Sequence, residues 1–130
     1  MEFIEKNRQE FGIKRIDHVS ASGAFHSRLM HSTVPAVTRA IAAVDLREPV
    51  IPVHCNVTAQ RYRTVNSIRM QLVNQLWKPV RWEQTMHVLY GRRVGHDFPV
   101  TFEVGPGRHL GFLLQQVNAK AYAQYDHIDV

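Results

Sequence analysis

Phe98–Val117, "FPVTFEVGPGRHLGFLLQQV", runs from a strand through a glycine turn into a helix, and this unit decides the fold class. Val100, Phe102 and Val104 alternate with Thr101 and Glu103, the period of two that a half-buried strand shows. Gly105-Pro106-Gly107 ends that pattern. Leu110, Leu113, Leu114 and Val117 then return at steps of three and four, which puts them on one face of a helix. The same alternation extends toward the N-terminus. A helix is predicted from Ser32 as N-cap, with Pro35 in its first turn and Val34, Val37, Ile41 and Val44 on its apolar face. "EPVIPVHCNVTA", Glu48–Ala59, is a β-branched run whose prolines place it at a strand start or an exposed edge. Ile68, Leu72, Val73, Leu76 and Trp77 mark a second helix stopped before Pro79, and a third runs from Trp82 through Met86, Leu89 and Tyr90. At the N-terminus, Phe3, Ile4 and Phe11 line a short charged helix ending near Gly12, followed by strand-like "IKRIDHVSA", Ile13–Ala21. Helices between β-rich runs predict an α/β layered fold with parallel strands. Its functional loops, at strand C-terminal ends, would be among "SGAFHS", "NVTA" and "GPGR".

Composition narrows the function classes. The 130 residues, 45% hydrophobic, suffice for one modest core, and a formal charge of +5 favours an acidic partner. The basic residues are dispersed, densest at Arg61/Arg63 and Arg92/Arg93, with no run of five. A nucleic-acid module fits poorly, because basic and aromatic residues interleave only in stretches such as "RYR", Arg61–Arg63. No segment reaches the length of a membrane span, and "MEFIEKNRQEF" carries acidic residues that a signal or transit peptide avoids. The single cysteine, Cys55, lies in apolar "VIPVHCNV", which excludes a disulfide framework and favours a buried thiol over a nucleophile.

Two familiar motif readings fail on spacing. Gly105-Pro106-Gly107 lacks the Lys-Ser/Thr of a P-loop, Leu110 stands where G-x-G-x-x-G needs its third glycine, and Pro106 removes a backbone donor from any anion nest. The eight histidines include neither HExxH nor a Cys-x-x-Cys partner, so no metal is expected. His26 stands apart from the others. It sits among small residues in "SGAFHSRLM", Ser22–Met30, ahead of the helix rather than on its apolar face, where a substrate could approach closely.

"SGAFHSRLM", Asn56-Val57, "QLWKPVRWEQTM" (Gln75–Met86) and "FEVGPGRHLG" (Phe102–Gly111), in this order and spacing, resemble the C-terminal part of the malonyl-CoA:acyl carrier protein transacylases, the animal mitochondrial form above all. The resemblance implies that His26, in "AFH", is the catalytic base and then acid of a Ser-His ping-pong transfer. Malonyl would move from malonyl-CoA to the phosphopantetheine thiol of acyl carrier protein in fatty acid synthesis. It places Gln75 where a main-chain carbonyl orients the imidazole in place of an aspartate, and the unpartnered carbonyls of a helix end suit that role. Phe25 resembles the aromatic residue of malonyl-selective members, crowding an α-methyl branch, with core packing as the alternative reading. Asn56 is implied at the substrate, and Arg61, Arg63, Arg92 and Arg93 are candidates to dock the acidic carrier protein. No cofactor is implied beyond the partner's phosphopantetheine. The family setting is the mitochondrial matrix, with the cytoplasm as alternative, and a monomer is expected.

The family's nucleophile sits on a G-x-S-x-G elbow, and no such motif occurs in these residues. The "GQG" motif and the arginine that clamps the malonate carboxylate are also missing. The resemblance thus implies the C-terminal half of an α/β-hydrolase-like acyltransferase domain. Residues 1–20 would be a remnant of its inserted ferredoxin-like subdomain, and residues 21–130 would belong to the large subdomain. Such a chain carries the histidine without the serine and is expected to be inactive alone, with apolar faces exposed. The alternative is a catalytically inactive fragment or isoform that binds carrier protein.

Overall fold

The computed structural model describes residues 2–16 and 21–130. Its two-stranded sheet takes its first strand from the Phe98–Val117 unit. Strand β1, Thr101–Val104, pairs in parallel with β2, Tyr125–Ile128, in the register Thr101 to Tyr125 through Val104 to Ile128. Two helices make the crossover between them, Leu110–Val117 and the short Ala119–Tyr122. The second is started by Asn118, whose side chain accepts from the Ala121 N–H at 3.0 Å. The parallel α/β expectation holds here. The second strand and the short helix escaped the sequence reading, because "AYAQYDHIDV" offers a strand only four residues long and mostly polar.

Upstream lie α1 (Glu2–Lys6), a 3₁₀ helix (Arg28–Thr33), α2 (Val34–Ala42), α3 (Val65–Asn74) and α4 (Trp82–Tyr90), so the crossover helices are α5 and α6. Helix α1 stops earlier than expected, at Lys6, and the chain continues in turns to Gly12, whose φ of 63° suits glycine. The apolar side survives as a tilted contact of the Phe3 and Phe11 rings, 6.1 Å apart. Residues 17–20 of the strand-like "IKRIDHVSA" lie outside the described residues, and Ile13–Ile16 form no strand.

Ser32 does not cap α2. It lies within the 3₁₀ helix, which Ser27 begins by accepting from the Leu29 N–H at 3.3 Å, while Pro35 occupies the first turn of α2 as expected. Thr64 caps α3 through the Ser67 N–H at 3.2 Å. The β-branched run 48–59 is not a strand but one arm of a tight hairpin with a single antiparallel bridge, His54 to Arg61. The chain reverses at Ala59, whose φ is 60°, and Pro49 and Pro52 remove donors a longer ladder would need.

The core gathers where α4 meets the crossover helices. Met86, Tyr90, Leu114 and Ala121 are buried, flanked by half-buried Trp82, Leu89, Phe98 and Tyr125. The hairpin adds Cys55, Val57 and Ala59, and α3 adds Ile68 and Val73. The opposite face of the sheet is bare: Phe102 and Val104 on β1 and Ile128 on β2 are all exposed. Parallel sheets are ordinarily covered on both faces, so this face lacks a layer within the described residues.

Candidate active site

His26 is held by the segment that follows α3. Its backbone φ is 61°, a left-handed conformation that costs a β-carbon-bearing residue of order 1 kcal/mol or more and that tends to persist at functional sites. The His26 N–H secures it by donating to the Leu76 carbonyl at 2.8 Å. One residue on, the Ser27 hydroxyl donates to the Ala24 carbonyl at 2.6 Å and tightens the turn. The imidazole Nδ1 lies 3.3 Å from the Lys78 carbonyl. A carbonyl can only accept, so that bond places the proton on Nδ1 and leaves Nε2 as the exposed basic nitrogen.

The carbonyl that meets the His26 ring is that of Lys78, and no hydrogen bond of the Gln75 carbonyl to His26 is present among the described residues. The turn after α3 runs on further than "NQLWKP" suggested. Gln75, Leu76, Trp77 and Lys78 all donate their N–H groups back to the end of α3, and Pro79 then ends the run with no donor of its own. Lys78 directly precedes that proline, and its carbonyl is the one that meets the His26 ring. Gln75 instead meets Asn56 through its side chain, whose Oε1 accepts from the Asn56 amide at 3.4 Å. The Asn56 carbonyl also accepts the Arg81 N–H at 2.8 Å, so Asn56 ties the hairpin to both ends of the segment that grips His26. Trp77 stiffens the middle, with the His31 ring edge-on at 5.1 Å and the Lys78 ammonium 5.0 Å from its centroid.

The other expected positions divide. Phe25 is about half exposed and turns its ring toward Gly23, where an added Cβ would sit 3.4 Å from it. Arg61 and Arg63 lie on the returning arm of the hairpin, and Arg92 and Arg93 on the exposed loop after α4. Cys55 is buried, as its surroundings suggested. Burial alone would push its thiol up, but hydrogen bonds from Thr58 and Tyr62 outweigh this and bring it below the ordinary value, while burial and the Cys55 contact push Tyr62 up to about 12. Among the described residues no three His, Cys, Asp or Glu side chains are grouped to hold a metal ion, and no helix is long and apolar enough to cross a membrane.

One cluster went unrecognised in the sequence. Glu103, at the end of β1, turns its carboxylate onto the start of α5. It accepts from the N–H groups of His109 (3.0 Å), Leu110 (2.9 Å) and Gly111 (2.9 Å), and from the Tyr125 hydroxyl at 2.5 Å. A strand side chain thus performs the capping that His109, at the N-cap position, does not. The Leu110 N–H, Tyr125 hydroxyl and the other amides hold the Glu103 carboxyl down to about 2, and the same carboxylate pushes Tyr125 up to about 12. Gly111 is required here because the Tyr125 ring occupies the space a Cβ would take. The available signal was the glutamate two residues before a glycine turn that opens a helix. An apolar cleft of about 290 Å³ lies between Glu103 and Asn56, walled by Met86, Leu89 and Leu114.

No family model matches the chain. It is 46% identical to the human mitochondrial malonyl-CoA-acyl carrier protein transacylase, over all of its own length and 33% of that protein's. Among solved structures, the malonyl-CoA:acyl carrier protein transacylase of Xanthomonas oryzae matches with a TM-score of 0.76 at 26% identity, over 95% of this chain and 37% of that one. A malonyl-transacylase solved in complex with a type II PKS acyl-carrier protein matches with a TM-score of 0.74 at 25% identity, over 99% of this chain and 39% of that one. The chain belongs to the malonyl-CoA-acyl carrier protein transacylase family and spans about a third of the length of the relatives it matches.

Proposed function

We propose that this chain is the histidine-bearing part of a malonyltransferase that moves malonyl from malonyl-CoA to the phosphopantetheine thiol of acyl carrier protein. The observation that carries this reading is the strained, doubly tethered His26, with Nδ1 on the Lys78 carbonyl and Nε2 open. Nε2 takes the proton of a serine hydroxyl as its oxygen attacks the thioester carbonyl. The C–S bond then breaks, and the imidazolium returns the proton to the departing coenzyme A thiolate. In the second half, Nε2 deprotonates the carrier thiol, which attacks the malonyl-serine ester, and the serine oxygen recovers the proton. Lys78 fixes the tautomer that both steps need.

The serine must come from outside these 130 residues, since they hold no G-x-S-x-G. We accordingly read residues 21–130 as the C-terminal half of the acyltransferase large subdomain and residues 1–20 as the end of its inserted small one. Alone, the chain would be inactive, and the bare apolar face of the sheet fits a missing layer. The same bare face supports a second reading, a fragment that binds carrier protein without turnover. The setting would be mitochondrial, following the names of the human, fly and mouse relatives. Arg92 and Arg93 are the pair we assign to the acidic carrier. In a complete enzyme containing this chain, His26→Ala should lower steady-state malonyl transfer by about 10²–10⁴-fold. Turnover close to wild type would remove His26 from the chemistry.

A further inference from the structure

Arg61 and Arg63 are built into a groove of their own. The hairpin is closed by the Cys55 N–H on the Gln60 carbonyl (2.9 Å) and the Tyr62 N–H on the Val53 carbonyl (2.9 Å), beside the His54–Arg61 bridge. In such an extended arm, side chains two residues apart share a face, so Arg61 and Arg63 stand together while Tyr62 reaches Cys55 with its hydroxyl. With His54, Gln60, Tyr62 and Val88 they line a groove of about 570 Å³. Neither guanidinium has an ion pair or side-chain hydrogen bond among the described residues. His54 has its Nδ1 on the Ala59 carbonyl at 3.2 Å, which leaves Nε2 as its free nitrogen. A rigid concave site with two unsatisfied guanidinium forks, an amide and an imidazole matches the tetrahedral oxygens of a phosphate. Arg92 and Arg93, on an open exposed loop, have no such enclosure.

We propose that this groove is a phosphate-binding subsite, in which Arg61 and Arg63 grip a phosphate of coenzyme A and His54 and Gln60 complete its hydrogen bonds. The phosphate chemistry stands on the groove itself; coenzyme A as its source rests on the transacylase reading above.

Calorimetric titration of the 130-residue chain with inorganic pyrophosphate, with coenzyme A and with carrier protein lacking phosphopantetheine separates these sources. Both phosphate probes should bind. Arg61→Gln should weaken each about fivefold and the Arg61→Gln/Arg63→Gln pair about thirtyfold, less so at high salt. The Lys/Lys pair, which keeps the charge but loses the fork, should fall between, and circular dichroism should match wild type for all variants. Binding of the unmodified carrier should be unchanged. The proposal is overturned by wild-type chain that binds neither phosphate probe, by equal affinity in the Gln/Gln pair, or by a loss confined to the carrier protein, which would make this a protein-docking surface. Pyrophosphate lost in the pair with coenzyme A unaffected would uphold the subsite and overturn coenzyme A as its occupant.

Discussion

Glu103→Gln perturbs the one carboxylate that ties β1, β2 and α5 together. In the folded chain this carboxyl is held near pH 2 by the Leu110 N–H, the Tyr125 hydroxyl and the neighbouring amides, against 4.5 when free. A depressed acid contributes stability that is fully present above its unfolded value and lost as pH falls toward its folded one. The window is therefore from about pH 4.5 down to about pH 2. At pH 3 the unfolded carboxyl is almost wholly protonated and the folded one about a tenth, so unfolding takes up about 0.9 proton through this group. The pH dependence of unfolding free energy, from denaturant titrations every half unit between pH 2.5 and 6, reads that number directly. Glu103→Gln should lower the proton uptake at pH 3 by about 0.9. Its amides at His109, Leu110 and Gly111 should also exchange faster, because a glutamine oxygen cannot serve all the donors the carboxylate does. At the other end, Tyr125 has its hydroxyl raised from 10 to about 12, so its contribution is whole below pH 10 and fades as pH climbs toward 12. An unchanged pH slope in Glu103→Gln would refute the capping role and leave the carboxylate as an ordinary solvated group.

Three further outcomes follow from the same geometry. In a complete enzyme, Phe25→Ser should raise the methylmalonyl-to-malonyl ratio of kcat/KM by about tenfold, the scale of one methyl group in a fitted pocket; an unchanged ratio would assign Phe25 to packing against Gly23. Arg92→Glu should slow transfer to the carrier protein more than acylation by malonyl-CoA, with the difference shrinking at high salt; equal losses in both half-reactions would remove Arg92 from carrier docking. Leu114→Ala, at a position only 3% exposed, should cost about 2–5 kcal/mol in denaturant unfolding, and a cost well under 1 kcal/mol would show that the α4–α5 contact is not the core.

The sequence was most legible where one short-range pattern decided the outcome. Strand β1 and helices α3, α4 and α5 follow from apolar spacing and from the breakers Pro79 and Gly105. Patterns that depend on distant partners were opaque. The run at Val50–Val57 has strand composition, yet it finds only its own returning arm and makes one bridge. Strand β2 has little apolar content and exists because β1 lies beside it. At the site, "AFH" singled out His26 as a candidate, whereas the carbonyl that meets its ring depended on how far the turn after α3 continues, a matter of three residues that separates Gln75 from Lys78. Glu103 was invisible for the same reason: its role appears only when the glycine turn folds α5 back over the strand end.

The central claim is that one imidazole, aimed by the Lys78 carbonyl, serves both halves of a malonyl transfer. Single-turnover measurement of the two half-reactions tests it, comparing wild type with His26→Ala in the complete enzyme that contains this chain. Formation of malonyl-enzyme from malonyl-CoA is followed in one experiment, and its discharge to holo carrier protein in the other. The account predicts that both rates fall, each by about 10²–10⁴-fold, with the fold intact. A loss in one half-reaction alone, or in neither, would contradict it.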